Sequence, residues 1–453
     1  MHNHRSGSLI PGSVVALPVK AVKAFFNSTV WPTLVSQCRS KVVDLLGHAQ
    51  HGELEIHEHG QRHLFGEVSK KYPKTIQIQV RSDTFWVRLV LRADLGFAES
   101  YMKHEIDVND LPGFFKFFVN NREELDNVQF PHSIVMDTFN VVINSRLANT
   151  VANAINNISA HYDIGNEIFE CFLDPTMTYS SAIWQNPEDT LETAQRRKLT
   201  MMVEKACITE QDHVLEIGSG WGSLSILAVQ ITGCRVTTLT LSREQKEFAE
   251  ARIAQLGLSD RITVMLCDYR DLDPAQYQFD KIVSIEMIEA VGFEYMDTYF
   301  RCCHRLLHPH HGIFVLQGIT MPESRFDQYQ KSVDFIRKYI FPGGQCPTVT
   351  SIVTAATRGS NGQLILNHME NFPTDYARTL KEWRETFLRN YDVVAKKISK
   401  RAEGPVYDKL FKRKWEYYLA YCEGGYATRT LGLVQMVFAR EADQILVNRQ
   451  IGY

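Results

Sequence analysis

Val214-Leu215-Glu216-Ile217-Gly218-Ser219-Gly220-Trp221-Gly222 is the stretch on which the reading of the chain turns. A run of strand-forming residues meets an acid, three glycines follow at alternate positions, and apolar residues at helical spacing (Leu224, Ile226, Leu227, Val229) begin at once. A strand that feeds a glycine-rich turn and a helix N-terminus is a platform for a nucleotide cofactor. Glycine lets the turn take positive φ and lets a ligand approach the backbone. The order is E-x-G-x-G-x-G, not the G-x-G-x-x-G of dinucleotide sites, which favours S-adenosylmethionine over NAD. These nine residues alone also fit an ordinary glycine-rich turn between strand and helix.

Outward from this turn the chain alternates strand and helix. Strands are predicted at 214–217, 235–241, 261–266, 279–285 and 312–317. Helices are predicted at 244–256, with Ser242 as N-cap and Gly257 as the stop, and at 295–307. Alternating units of this kind form a doubly wound, mainly parallel α/β sheet, a Rossmann-like domain whose ligands bind beyond the C-terminal strand ends. Residues 320–453 read as a helical extension or lid, interrupted by Phe341-Pro342-Gly343-Gly344.

The N-terminal third has a different period. Glu53-Leu54-Glu55-Ile56-His57, Thr75-Ile76-Gln77-Ile78-Gln79-Val80 and Phe85-Trp86-Val87-Arg88-Leu89-Val90-Leu91 suggest three or more antiparallel strands. Residues 96–128 return to helix, with Asp110 as an N-cap ahead of Pro112. Residues 1–135 are thus a small α+β domain, 136–157 a helical linker, and 158–453 the cofactor domain with its extension. Apolar residues from Val19 to Val35 have helical spacing within a basic segment. A helix packed on its own domain is favoured there over one lying on an anionic membrane. His51, His57, His59 and His63 lack ligand spacing, and no metal is expected.

The 453 residues leave room for two or three domains, and a net charge of −3 gives no drive towards nucleic acid. Nine scattered cysteines without a C-x-x-C pair fit a reducing compartment. No apolar run approaches the ~20 residues needed to span a bilayer. Pro18, Lys20 and Lys23 break up the first apolar stretch, which reads poorly as a signal peptide. A cytoplasmic protein that meets any lipid from the membrane surface is expected.

No acid follows the second strand, which ends Thr240-Leu241-Ser242 with Gln245 one turn on. Asp268-Tyr269, after the third strand, is placed to meet an adenine, carboxylate to the exocyclic amine and ring edge for packing. Asp268 is equally suited to cap the following turn.

Three further stretches carry a family resemblance. They are His161-Tyr162-Asp163-Ile164-Gly165-Asn166, running on through Phe172-Leu173-Asp174-Pro175 to Tyr179-Ser180-Ser181-Ala182-Ile183-Trp184; Thr240-Leu241-Ser242-Arg243-Glu244-Gln245; and Lys338-Tyr339-Ile340-Phe341-Pro342-Gly343-Gly344. With the glycine turn, the chain resembles the cyclopropane-fatty-acyl-phospholipid synthase family over about 158–440, and more loosely around 96–110. The resemblance implies a methyltransferase that uses S-adenosylmethionine to alkylate a cis double bond in a phospholipid acyl chain through a carbocation. It assigns the cofactor to Tyr179, Ser180, Glu216, Gly218, Gly220, Gly222, Thr240, Leu241, Gln245, Asp268 and Tyr269. It further implies a bound bicarbonate as base, caged by Ser181, Glu289, Gln317, Ile319 and Tyr376. Ser181 and Gln317 depart from the usual cysteine and histidine. Gln317 with Ile319 is similar to the plant-type and methyl-branching branch, in which the cation gives a methylene that a separate reductase completes. Cys422 aligns with a family cysteine counted among catalytic candidates, although the chemistry needs no nucleophile and packing or tunnel lining suits it better.

Lys396, Lys397, Lys400, Arg401, Lys409, Lys412, Arg413 and Lys414, with Tyr407, Phe411 and Trp415, could grip phospholipid headgroups or simply form a solvated helix face. The expected partners are a phospholipid surface, a second copy in a homodimer, and a reductase for a branched product. Rival readings are a methyltransferase for a small soluble acceptor and a catalytically silent lipid-binding homologue.

Overall fold

The computed structural model describes residues 30–126, 165–398, 407–441 and 443. The helical linker, the first four residues of the H-Y-D-I-G-N stretch, and Lys400 with Arg401 lie outside these residues.

The N-terminal part opens with α1 (Trp31–Leu46), which buries Val35, Cys38, Val42 and Leu46 along one stripe against its own domain. β1 (Gly52–Glu58) and β2 (Gln61–Glu67) form an antiparallel hairpin. It closes through His59 and Gly60, both at positive φ, as a two-residue turn requires. β3 (Thr75–Val80) then pairs with β1 in parallel, because β2 has already brought the chain back. The expectation of a purely antiparallel sheet is therefore corrected.

A second correction concerns 85–91. The apolar alternation there belongs to α2 (Thr84–Met102), not to a strand. Phe85, Trp86 and Val87 are all buried, so the run serves a helix clasped on more than one side, a case in which a short apolar stretch does not reveal its period. α2 is sharply kinked at Ala93, which takes φ 46°. The two halves approach so closely that a Cβ on Gly96 would fall 2.2 Å from the Arg88 carbonyl oxygen, so only glycine fits. β4 (Ile106–Val108) completes a four-stranded sheet ordered β2-β1-β3-β4.

α3 (Leu111–Asn120) follows, and its Asp110 N-cap is as predicted, with Oδ1 accepting from Gly113 N at 2.9 Å. Replacing Asp110 with alanine is expected to cost about 1 kcal/mol, measured as a lowered denaturant midpoint at unchanged slope.

α4 (Leu191–Lys205) leads into the second sheet. β5 (His213–Ile217), α5 (Ser223–Thr232), β6 (Arg235–Thr240), α6 (Arg243–Gln255), β7 (Ile262–Leu266), β8 (Lys281–Ile285), α7 (Met296–Leu306) and β9 (Ile313–Thr320) follow the predicted alternation. Ser242 caps α6 by accepting from Gln245 N at 3.2 Å. The five strands pair in parallel in the order 9-8-5-6-7. The order reverses between β5 and β8, and that switch point opens the crevice for a ligand.

The C-terminal part is α8 (Glu323–Lys331), α9 (Val349–Gly359), β10 (Ile365–Asn371), α10 (Pro373–Ile398), α11 (Lys409–Ala427) and β11 (Gly432–Ala439). It is not helical throughout, as the sequence suggested. β11 inserts antiparallel between β9 and β10 and widens the sheet to seven strands. Its last seven residues are all buried, so an apolar segment read as part of a lid is a central strand.

α11 packs on α10 and on α2 and α3, so one apolar core runs from the N-terminal sheet into the C-terminal helices. Phe97 stacks on Phe114 at 4.0 Å and meets Tyr417 of α11 at 6.3 Å. Arg413 reaches across the same joint. Its guanidinium donates to the carbonyls of Tyr101 and Ile106 at 2.5 and 2.7 Å, pairs with Asp107 at 3.1 Å, and lies 3.9 Å above the Tyr101 ring.

Candidate active site

The glycine turn is held from behind. Glu216, at the end of β5, is buried, and its Oε2 accepts from Ser225 of α5 and from Thr238 of β6 at 2.7 Å. Burial pushes this carboxyl up to about 7, against the pull of those two hydroxyls and of Lys198. Glu216 borders the cavity, yet this oxygen braces strand to helix. The N–H groups of Gly218 and Ser219 donate to the Leu239 carbonyl at 3.0 and 2.8 Å, tying the turn to β6.

Gly218, Gly220 and Gly222 have φ of 99°, 47° and 87°. A Cβ on Gly222 would press on Ala249 at 3.2 Å, whereas one on Gly220 would meet nothing within 4 Å. Gly222 is a packing requirement and Gly220 faces open space. Thr240, Leu241, Gln245, Asp268 and Tyr269 line that same space. Thr240 Oγ1 donates to Gln245 Oε1 at 2.9 Å, which fixes the amide. Asp268 caps its turn through Arg270 N at 2.9 Å and also pairs with the Arg270 guanidinium at 2.6 Å. Tyr269 packs edge-on against Tyr299 at 5.2 Å. This open, glycine-floored space fits S-adenosylmethionine.

Motifs far apart in sequence meet around the turn. Asn166 accepts from the Trp221 indole at 2.8 Å, joining H-Y-D-I-G-N to G-W-G. The Tyr179 and Tyr418 hydroxyls lie 2.8 Å apart. Ser180 Oγ accepts from Lys198 Nζ at 2.5 Å. Lys198 is fully buried, and burial pushes its ammonium down to about 8 against the charges of Glu286, Asp174 and Glu216. Sequence reasoning missed it, since a lysine on a helix reads as solvated.

Ser181, Glu289, Gln317, Ile319 and Tyr376 do come together, but around a residue that the sequence reading passed over. Glu286, just past β8, accepts from Ser181 N at 2.8 Å, Gln317 Nε2 at 2.7 Å and the Tyr376 hydroxyl at 2.6 Å. Gln317 is itself held by Gln435 Nε2 at 2.8 Å, and Gln435 by Lys205 at 2.5 Å. Ile319 N donates to Glu289 Oε1 at 2.5 Å, while Glu289 Oε2 is buried with no hydrogen-bond partner. Burial, and then the charge of Glu286, push Glu289 up to about 8. Glu286 is also raised by burial, against the pull of Tyr376, Lys198, Ser181 N and Gln317.

Bicarbonate does not fit this arrangement. Three of the donors expected to cage it are engaged by a carboxylate of the chain, the Ser181 hydroxyl is turned to the Ala182 carbonyl at 3.0 Å, and two acids, Glu286 and Glu289, border the place where the anion would sit.

A cavity of about 1660 Å³ joins these parts. It runs from the glycine turn past Glu286, Glu289 and Tyr376, then between Phe341, Tyr418 and Cys422, to Leu54, Phe85 and Phe114 of the N-terminal part. Cys422 lines the wall, and burial pushes its thiol well above the ordinary range, so it is not the thiolate a nucleophile must be. Lys409, Lys412 and Arg413 pair with His104, Asp392 and Asp107, and the Lys414 ammonium lies over Phe411. Lys409, Lys412 and Arg413, three of the cations that the sequence offered to headgroups, thus tie α11 to neighbouring segments. His51, His57, His59 and His63 each have a carboxylate partner: Glu124, Glu55, Asp83 and Glu58 respectively.

A family profile described as mycolic acid cyclopropane synthetase matches residues 149–436. Tuberculostearic acid methyltransferase UfaA1 of Mycobacterium tuberculosis is 36% identical over 373 residues, covering 80% of this chain and 82% of that protein. The cyclopropane-fatty-acyl-phospholipid synthase of Escherichia coli K12 is 37% identical over 366 residues, covering 80% and 87%. The crystal structure of mycolic acid cyclopropane synthase CmaA1 with SAH and CTAB superposes with a TM-score of 0.56 at 27% identity, covering 63% of this chain and 98% of that one. The sheet with its switch point, the open glycine cradle and these matches lead to one assignment: the chain belongs to the mycolic acid cyclopropane synthetase family and is an S-adenosylmethionine-dependent methyltransferase.

Proposed function

We propose that this protein methylates a cis double bond in the acyl chain of a phospholipid, giving a cyclopropane-containing chain. The observation that carries the reading is the single cavity that joins the glycine cradle to the apolar interior of the N-terminal part. A small soluble acceptor needs no such extension. When bound, S-adenosylmethionine supplies an electrophilic sulfonium methyl group. The chain's own residues do the rest. The glycine turn with Thr240, Gln245, Asp268 and Tyr269 orients the donor towards the cavity. Phe85, Phe114 and Phe341 hold the acyl chain and exclude water, which would otherwise trap the cation formed on the alkene. Tyr376, Tyr418 and Tyr426 line the wall, and aromatic faces stabilise cationic carbon.

Loss of a proton from the added methyl group closes the ring. After a hydride shift, loss from the same carbon gives a methylene group, which a separate reductase converts to a methyl branch. Gln317, which stands with Ile319 in place of the usual histidine as in the methyl-branching branch, supports this second outcome. Peripheral contact with a membrane belongs to the same proposal. Among the described residues no helix is long and apolar enough to cross a bilayer.

The test is incubation with S-adenosylmethionine and vesicles of oleoyl phospholipid, followed by mass spectrometry and proton NMR of the released fatty acids. A gain of one CH₂ is expected, with ring protons for the cyclopropane or vinylidene protons for the methylene. Methylation of water-soluble acceptors in preference to the vesicles would overturn the reading.

A further inference from the structure

We propose that Glu286 is the built-in general base of this enzyme, so that the reaction proceeds without an external anion. The inference rests on the proposed alkylation of a double bond and concerns the proton that must leave afterwards. Three donors from three separate segments, Ser181 N, Gln317 Nε2 and the Tyr376 hydroxyl, converge on the Glu286 carboxylate at 2.6 to 2.8 Å. Donors converging in this way hold an anion, and here the anion is covalently part of the chain. Glu286 has φ of 49°, left-handed backbone that a residue with a Cβ rarely adopts. Such strain persists where the surroundings over-determine it, as at functional sites. The residue stands at the switch point between β5 and β8 and borders the cavity beside Gly218, Met287 and Ile319.

The neighbouring acid fits the assignment. Glu289 Oε2 is buried without a partner, and this carboxyl is pushed to the neutral side by burial and by Glu286. Two carboxyls so placed do not both ionise. The one with three donors and the Lys198 charge nearby is the better placed of the two to hold the negative charge.

In the step itself, the Glu286 carboxylate takes a proton from the methyl carbon attached to the cationic chain. The electron pair of that C–H bond forms the third carbon–carbon bond of the ring, or the double bond of the methylene product. Glu286 is left as the carboxylic acid and loses its proton to solvent when product leaves.

The experiment compares three proteins in sealed, carbon-dioxide-free buffer, with and without added bicarbonate. Wild type is expected to give the same rate in both within about twofold. Glu286→Gln is expected to fall about 100-fold or more, the usual scale of a lost general base, with no recovery on adding bicarbonate. Glu286→Gly relieves the positive φ and vacates the donors. It is expected to fall similarly and to regain at least tenfold when bicarbonate is added. Binding of isotope-labelled bicarbonate, followed by NMR, supplies a readout independent of lipid turnover: retention by Glu286→Gly and none by wild type. Wild-type activity that collapses without carbon dioxide and returns with bicarbonate would overturn the proposal. So would retention of label by wild type, or Glu286→Gln working at more than half the wild-type rate. Failure of the wild type to methylate any lipid would overturn the proposed function instead, and the labelled-bicarbonate readout would still decide the role of Glu286.

Discussion

Glu99→Ala is expected to destabilise the protein by about 3 kcal/mol, the lower end of the cost of breaking a buried ion pair. Glu99 Oε1 accepts from Arg92 at 2.7 Å, Lys338 at 3.0 Å and the Tyr339 hydroxyl at 2.7 Å, and Oε2 from Arg88 at 3.3 Å. The carboxylate is only 4% exposed, so its removal strands several donors around a site that water hardly enters. The lower end applies because Arg92 and Lys338 still reach solvent with part of their surface. Burial alone would raise the Glu99 carboxyl, but hydrogen bonds from Tyr339 and Lys338 and the charges of Lys338 and Arg92 hold it at about 2, below its ordinary 4.5. A depressed carboxyl contributes stability that is complete above the unfolded value and is lost as pH falls through the folded one. The gap between wild type and Glu99→Ala in urea denaturation is therefore expected to be full above about pH 5.5 and to narrow between about pH 4.5 and pH 2. An undiminished gap at pH 2.5 would show that the loss is one of packing. Lys338 and Tyr339 precede Phe341 on the cavity wall, so the variant is also expected to weaken activity before it unfolds.

Gly220→Val is expected to weaken S-adenosylmethionine binding at least 100-fold, about 2.7 kcal/mol. At φ 47° a β-branched residue is badly accommodated, at a cost of about 1–3 kcal/mol. Its side chain would also stand in the space that no protein atom approaches within 4 Å. Calorimetric titration with the cofactor checks the affinity and thermal unfolding checks the fold. Gly222→Ala supplies the contrast. It presses on Ala249 at 3.2 Å and should lower the melting temperature more than it lowers affinity. An affinity for Gly220→Val within twofold of wild type would show that the cofactor does not pass over this glycine.

The cofactor half of the site was legible because its signals are local. The residues from Val214 to Gly222 form strand, turn and helix cap in one unbroken segment, and hydrophobic period and glycine spacing report such a segment directly. Asp110 and Ser242 were found as caps for the same reason. The acid pair was half legible. Glu286 and Glu289 stand three residues apart just past β8, but which of them faces the converging donors depends on three segments from elsewhere in the chain. Lys198 was hidden because burial of a helical lysine is decided by what packs on the helix, not by the helix itself.

Local sequence pattern was enough for the parallel sheet, the succession of its five strands, the glycine cradle and the cofactor class, because strand–turn–helix units carry their instructions within about thirty residues. Packing between distant segments makes 85–91 helix, makes β11 an interior strand, and lets α11 weld the C-terminal helices to the N-terminal part. The same packing brings to Glu286 the donors expected to bind a free anion. Each of these depends on contacts between residues far apart in the chain, and neither hydrophobic period nor motif spacing carries information about such contacts.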